Sequence, residues 1–138
     1  MFRNLGDAWS AGSLLTDLGG LTLSHGELSR GIDFFRQATD AFQQHGGHRR
    51  GLARVLEGFA LAASLGGDAQ RAIRLAGAAA ALRNALGTPL TPAEQQQVTS
   101  GLEIAHAQLS PAARSQAWSE GWTMTLDQAI EFGLDAGV

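Results

Sequence analysis

The chain has no cysteine, no lysine and no tyrosine, and it has only three prolines in 138 residues. Without cysteine it can form neither a disulfide nor a thiolate metal site, which fits a reducing compartment, so we expect a cytoplasmic protein. No apolar run approaches the ~18 residues of a membrane span, and the start, MFRNLGDAWS, has no apolar segment of the signal-peptide kind. With a net charge of −3, the chain lacks the excess of basic residues needed to contact the phosphates of a nucleic acid. We therefore expect neither a membrane nor nucleic acid as a direct partner.

Residues 18–38 and 59–79 share one helix–turn–helix pattern at an offset of 41 residues. Each stretch has an apolar helical run, a turn at residues 26–27 or 67–68, and a second helical run. A helical hairpin recurring at this period indicates a tetratricopeptide-like α-solenoid. Such a unit cannot bury its apolar face alone, so it stacks on neighbours and leaves an extended surface for other proteins. This pattern favours binding over catalysis.

Helix-start and helix-stop signals divide the chain into about seven helices with no convincing strand, which predicts an all-α fold. We expect one helical-repeat domain over residues 1–138. Its first part, residues 1–87, holds the two helical hairpins. Residues 88–138 form a cap of three helices at the C-terminal end.

Four of the expected boundaries are specific. The second helix is expected to end at residues 46–47, since glycine tolerates a left-handed C-cap. Asp68 is placed to cap the start of the fourth helix. A capping box with proline at the first helical position opens a fifth helix at Thr91, which we expect to reach about Leu109. A second capping box opens the last helix at Thr125.

Glycine and tryptophan are unusually placed. Six glycines fall inside expected helices, each at a cost of about 1 kcal/mol relative to alanine. We interpret them as points where helices pack closely, the alternative being hinges or a surface that a ligand approaches. Trp118 and Trp122 are expected to fold the terminal helix back onto the stack, the alternative being a binding pocket. The six glycines are Gly12, Gly31, Gly51, Gly58, Gly77 and Gly101.

The search for chemistry finds no catalytic, cofactor or metal site, and we expect a protein that is not an enzyme. His45 and His48 flank a turn, but a metal site needs more ligands and two arginines follow directly. Glu103 and His106 have the Glu-x-x-His spacing of di-iron bundles, but the required second copy is absent. No nucleophile elbow, Walker loop or dinucleotide fingerprint occurs.

Three ordered segments carry a resemblance to a known family. Residues 75–83 read LAGAAAALR, residues 87–94 read GTPLTPAE, and residues 118–130 read WSEGWTMTLDQAI. Over residues 46–134 the chain resembles the C-terminal helical array of bacterial LuxR-type transcriptional regulators and related signal-transduction ATPases, some joined to cyclase domains. The resemblance implies a tetratricopeptide-like domain whose partners include the ATPase and DNA-binding domains of a parent regulator. It implies no catalytic residues, because the similar segment has none.

We therefore expect a non-catalytic interaction or sensor domain of a signalling or transcriptional regulator, with a protein or peptide on the inner face of its helices. The residues expected on that face are Arg30, Asp33, Arg71 and Arg74, near the starts of the two second-position helices. Two alternatives remain open. One is an oligomerisation module in which the first helix pairs with its copy in a homodimer through Trp9, Leu14 and Leu18. The other is a small-ligand-binding bundle with Trp118 and Trp122 in its pocket.

Overall fold

The computed structural model describes residues 5–44 and 47–135, with side chains from residue 9 onward, and this part of the chain is all-α. It contains eight helices and no strand, and none of these helices is long and apolar enough to cross a bilayer. In chain order the helices are α1 (Leu5–Ser24), α2 (Leu28–Gln43), α3 (Arg49–Leu65), α4 (Ala69–Leu86), α5 (Pro92–Gly101), α6 (Glu103–Gln108), α7 (Pro111–Trp122) and α8 (Leu126–Leu134).

Most helix ends lie where the capping residues predict them. Asp68 accepts a hydrogen bond from the backbone N–H of Arg71, and both threonine capping boxes are formed, at Thr91 and at Thr125. Gly87 ends α4 in the left-handed conformation, with φ of 67°. The expected end of α2 at residues 46–47 is wrong, because α2 ends at Gln43 and the chain becomes extended at the next residue. His45 and Gly46 lie outside the described residues.

The expected fifth helix is two helices, which makes eight in the described residues instead of seven. The break lies at Leu102, which is 3% exposed and turns into the core. Beyond it, the backbone N–H of Ala105 donates to the hydroxyl of Ser64 on α3 at 3.3 Å. At Gly101 an added methyl group would overlap Leu61, so glycine lets the chain approach α3 closely. These long-range contacts, rather than a local stop signal, divide the helix.

The two hairpins α1–α2 and α3–α4 are built alike at their turns. Gly26 and Gly67 both adopt the left-handed conformation, with φ of 79° and 85°. The residue after each glycine donates a backbone hydrogen bond five residues back, from Glu27 to Thr22 at 3.1 Å and from Asp68 to Ala63 at 2.9 Å. The sequence repeat is therefore also a repeat of local structure.

Phenylalanine rings of α2 fill the space between α1 and α3. Each ring lies against a glycine on both neighbouring helices, where an added methyl group would overlap the ring. The two sites are Phe42 with Gly12 and Gly51, and Phe35 with Gly19 and Gly58. All six glycines expected to serve close packing do so, since each has atoms of a neighbouring element where its side chain would be. The largest fully buried side chains are Phe35, Phe42, Phe59, Leu56, Ile73 and Leu75.

The C-terminal helices pack on α3 and α4 in three ways. α5 and α6 lie against α3, and α6 also reaches α4. α7 crosses α4 backbone to backbone, because Gly121 lies at the carbonyl of Arg74 and Gly77 lies at the carbonyl of Trp118. α8 packs on α3 and α4 through a buried face. That face consists of Ala129, Ile130 and Gly133.

Candidate functional site

A groove that we call the tryptophan groove runs between α4, α5 and α7. Trp118 and Trp122 stand one helical turn apart on α7, and they are 38% and 41% exposed. Ala80 and Arg83 of α4 form the floor that both tryptophans share. Leu90, in the connection to α5, and Gln95 of α5 form the opposite wall. The groove therefore presents two aromatic surfaces to solvent.

Small residues create this groove. Ala117 and Gly121 are buried on the side of α7 that meets α4. Glycines let the two backbones approach closely, and the side chains of Trp118 and Trp122 line the groove beside this contact. Both tryptophans line this groove, while α8 packs on α3 and α4. That they fold the terminal helix back onto the stack stays a prediction.

The inner end of the groove is small and the outer end is open. The inner cavity, about 120 Å³, is lined by Trp118 and also by Val98, Leu102 and His106. The outer end, about 360 Å³, lies beside Trp122 and Pro89. Ligand pockets for whole small molecules usually have ~300–1,000 Å³. The enclosed part can thus hold one apolar side chain, and the remainder of a ligand would lie along the open part.

A buried ion pair stabilises the floor. Arg83, only 9% exposed, donates from Nε and from one Nη to the two carboxylate oxygens of Glu57 at 2.5 and 3.0 Å. Its other Nη donates to the carbonyl of Thr88 at 3.1 Å. The hydrogen bond that Arg83 donates to Glu57 raises the pKa of Arg83 against the opposing effect of burial. Each charge is thus paired with the other. This arrangement is typical of a structural ion pair in a rigid floor rather than of groups that transfer a proton.

A second concavity continues the groove toward α1. It has a volume of about 510 Å³ and shares Glu57, Arg83, Leu90 and Val98 with the tryptophan groove. On its α1 side, Arg54 donates to Ser13 at 2.8 Å and to Asp17 at 2.7 Å. On its α5 side the backbone N–H of Thr91 donates to the Glu94 carboxylate at 2.9 Å. That bond is the main cause of a lowered pKa of Glu94, and the charges of Arg83 and Arg54 act in the same direction.

The four residues expected to bind a partner have separate surroundings. Arg30 pairs with Glu27 at 3.0 Å, and Asp33 accepts from Gln37 at 2.8 Å, both exposed on α2. The other two contact C-terminal helices: Arg74 pairs with Glu120 of α7 at 2.8 Å, and Arg71 donates to the carbonyl of Phe132 on α8. None of the four lines the tryptophan groove. Their role in binding a partner stays a prediction.

The three residues expected at a dimer interface differ in exposure. Trp9 is half-buried, with its ring 5.6 Å from that of Phe42 and 5.7 Å from that of His48. Leu18 is half-buried, and Leu14 is 60% exposed. Leu21, two turns beyond Leu14 on the same side of α1, is 56% exposed.

Sequence reasoning missed the floor and the far wall of the groove. Glu57 and Arg83 lie 26 residues apart, and no local pattern connects them. Arg83 ends the segment LAGAAAALR and Leu90 lies within GTPLTPAE, so both belong to the resemblance without being marked by it as groove residues. The segments that carry the resemblance contain these residues, but only the fold shows that the residues line a groove.

The described residues contain no group of three or more His, Asp or Glu side chains that could hold a metal ion. Glu103 is exposed on α6 and His106 is half-buried at the inner end of the groove. His45, the other histidine of the expected turn beside His48, lies outside the described residues.

Comparison with known proteins identifies no relative of this chain. No family model matches it, and no curated protein or solved structure matches it significantly.

Proposed function

We propose that this chain is a non-catalytic interaction domain whose tryptophan groove binds a peptide segment of a partner protein. The observation that carries the proposal is the pairing of two exposed tryptophans with a small apolar cavity over a rigid floor. Tryptophan is unusually frequent among the residues that dominate protein interfaces. Exposed aromatic side chains beside a concave floor provide such anchoring surface at low entropic cost.

The shape of the groove, a small cavity that continues into open concavities, favours a peptide over a whole small ligand. An enclosed volume of about 120 Å³ accepts one side chain, such as leucine or methionine. The open portion past Trp122 and the concavity toward α1 then provide a path for the chain on either side of that anchor. The small-ligand bundle is the weaker proposal on this ground.

The wider biological role is proposed from the repeat and from the resemblance. The matching turns of the two hairpins support a tetratricopeptide-like solenoid, in which the groove would lie on the inner face. The resemblance over residues 46–134 supports a place in a cytoplasmic bacterial LuxR-type regulator. There, occupancy of the groove would bias a neighbouring ATPase domain between two states, a coupling proposed by analogy alone.

The groove proposal can be tested without knowing the partner. A displayed library of random 12-residue peptides would be selected against the whole chain, and the affinities of the selected peptides would be measured by anisotropy. We expect Trp118→Ala with Trp122→Ala to weaken binding by about tenfold or more, since two aromatic anchors are lost. Ile104→Ala is the matched control, because Ile104 is 47% exposed on α6 but does not line the groove. Selected peptides that bind the tryptophan variant unchanged, or a selection that yields no binder, would contradict the proposal.

A further inference from the structure

Two helix faces occupy equivalent positions in the two hairpins but differ in burial. An offset of 41 residues relates the outer face of α1 to the face of α3 that meets α2. Ser10, Leu14, Asp17 and Leu21 correspond in this way to Gly51, Val55, Gly58 and Ala62. All four residues on α1 are exposed, and all four on α3 are buried. We call the first set the outer α1 face.

The structure shows what covers the equivalent face on α3. Phe42 and Phe35 of α2 lie against Gly51 and Gly58, so the covering element is an amphipathic helix from the preceding hairpin. α2 cannot also cover the outer α1 face, because it packs on the opposite side of α1, where Gly12 contacts Phe42. The repeat therefore specifies a helix as the element that this kind of face accepts.

The chemistry of the outer α1 face fits such an occupant. Leu14 and Leu21 are the two most exposed large hydrophobic side chains in the described residues. Between them lies Asp17, whose side chain is 67% exposed although one carboxylate oxygen accepts from Arg54 at 2.7 Å. A helix with apolar residues on both faces is typical of one that is covered on both sides. One carboxylate oxygen of Asp17 is paired with Arg54, and the other offers a place between the leucines for a basic side chain of the partner.

A second copy of this chain fits less well. In a two-fold symmetric pair each surface meets itself. Two outer α1 faces crossing antiparallel between Leu14 and Leu21 would bring Asp17 against Asp17 near the axis. Like charges at that point disfavour self-pairing, whereas an arginine or lysine from a different helix would be attracted.

We propose that the outer α1 face binds one amphipathic helix of a partner protein, with an apolar stripe against Leu14 and Leu21 and a basic side chain at Asp17. This surface lies on α1, apart from the two tryptophans. Asp17 and Leu21 also line the second concavity, but the inference rests on the repeat and on the chemistry of α1 rather than on the tryptophan groove. The binding mode is that of a helix lying along an apolar surface, which the chain already uses between α2 and α3.

The probe is a peptide of residues 25–44, which contain the helix that covers the equivalent face. Because short helices are marginal in water, the peptide carries a hydrocarbon staple between positions 29 and 33, both exposed in the intact chain. A second version carries Phe35→Arg. Phe35 lies on Gly58, the counterpart of Asp17, so this change places a cation at the carboxylate. Affinities of both labelled peptides for the full chain are measured by anisotropy.

We expect the arginine peptide to bind the wild-type chain and to lose about tenfold or more in affinity on Leu14→Glu with Leu21→Glu. Leu65→Glu, at a side chain 51% exposed near the end of α3, is the matched control and should leave binding unchanged. The arginine peptide should bind the wild-type chain more tightly than the unmodified peptide, and this difference in affinity should disappear on Asp17→Ala. A non-specific apolar contact would not depend on Asp17 in this way.

Three outcomes would overturn the proposal. They are no binding of either peptide, binding that is unchanged in the double glutamate variant, and an arginine preference that survives Asp17→Ala. Light scattering of the chain alone provides a further decision. If the chain forms a dimer that dissociates on Leu14→Glu with Leu21→Glu, this face is a contact between two copies of the chain. The proposal of a partner helix would then be wrong.

Discussion

The two hairpins are joined to each other through side chains, whereas α7 is joined to α4 through backbone. Between the hairpins, the rings of Phe35 and Phe42 occupy the space that glycines leave on α1 and α3. At the α4–α7 crossing, Gly77 and Gly121 each lie directly against a carbonyl group of the other helix, and the ion pair between Arg74 and Glu120 lies beside these contacts. A ring can rotate or be replaced by a smaller side chain, but a backbone carbonyl within a helix cannot move without moving the helix.

This difference has a consequence for the groove. Trp118 and Trp122 have their positions because α7 approaches α4 closely, so the groove depends on the less adjustable of the two kinds of contact. The ion pair between Arg83 and Glu57 then links the same α4 to α3. We expect substitutions at the α4–α7 crossing to remove the groove. The effect of substitutions between the hairpins should be partly compensated by a second substitution.

The largest effect is expected from Gly121→Ala. Its methyl group would overlap the carbonyl oxygen of Arg74, so α7 must move away from α4, at a cost of more than about 3 kcal/mol in the free energy of unfolding. Chemical denaturation measures the cost, and hydrogen exchange should show that α7 loses protection first. Gly20→Ala is the matched control. Gly20 is exposed in α1 with nothing within 4 Å of an added methyl group, so alanine should stabilise the chain by up to about 1 kcal/mol. Equal stability of the two variants would contradict the backbone crossing.

The next effect is expected from Gly51→Ala, where the added methyl group would overlap the ring of Phe42. We expect a loss of about 1–3 kcal/mol, because the ring must shift within a filled core. Phe42→Leu in the same chain should recover part of that loss, and a double-mutant cycle measures the coupling. No side-chain change at Arg74 should rescue Gly121→Ala, since the obstacle there is its carbonyl. Strictly additive losses at Gly51 and Phe42 would mean that the two residues do not contact each other.

Local signals predicted most helix ends, whereas the break between α5 and α6 depends on contacts between residues far apart in the sequence. Asp68, Thr91 and Thr125 cap helices through bonds to backbone three residues away, so their roles can be read from neighbouring sequence. The break at Leu102 depends on Ser64, which lies 41 residues from its bonding partner Ala105. No pattern near Leu102 contains that information.

The groove was unpredictable for a related reason. A buried arginine needs a partner, but the sequence does not show that Glu57 is the acid that faces Arg83. The tryptophans were recognised as unusual, yet their placement depends on which side of α7 meets α4. That side is decided by the small residues Ala117 and Gly121, whose effect appears only when α4 is present.

A smaller effect is expected from Arg71→Ala, which tests how α8 is attached. Arg71 donates to the carbonyl of Phe132 near the end of α8, and its guanidinium lies 4.3 Å from the centre of that ring. A cation at a helix C-terminus and over an aromatic face should contribute about 1–2 kcal/mol together. Arg30→Ala is the control at the equivalent position of the first hairpin, where an exposed pair with Glu27 should contribute less than about 0.5 kcal/mol. Denaturation of both variants compares them, and equal losses would contradict a specific role of Arg71 at α8.

The smallest effect is expected from acid titration of Glu94. The backbone N–H of Thr91 lowers the pKa of Glu94 in the folded chain, so its ionised form stabilises the start of α5. A group with a lowered folded pKa contributes above its unfolded pKa and loses that contribution as the pH falls through the folded value. Below the ordinary glutamate range, amides in the first turn of α5 should therefore exchange faster relative to those of α8, by a factor of a few, since the cap at Thr125 uses the neutral Gln128. Glu94→Gln should abolish this pH dependence while leaving a capping box of the same form. A dependence that persists in the glutamine variant would assign the acid sensitivity of α5 to another group.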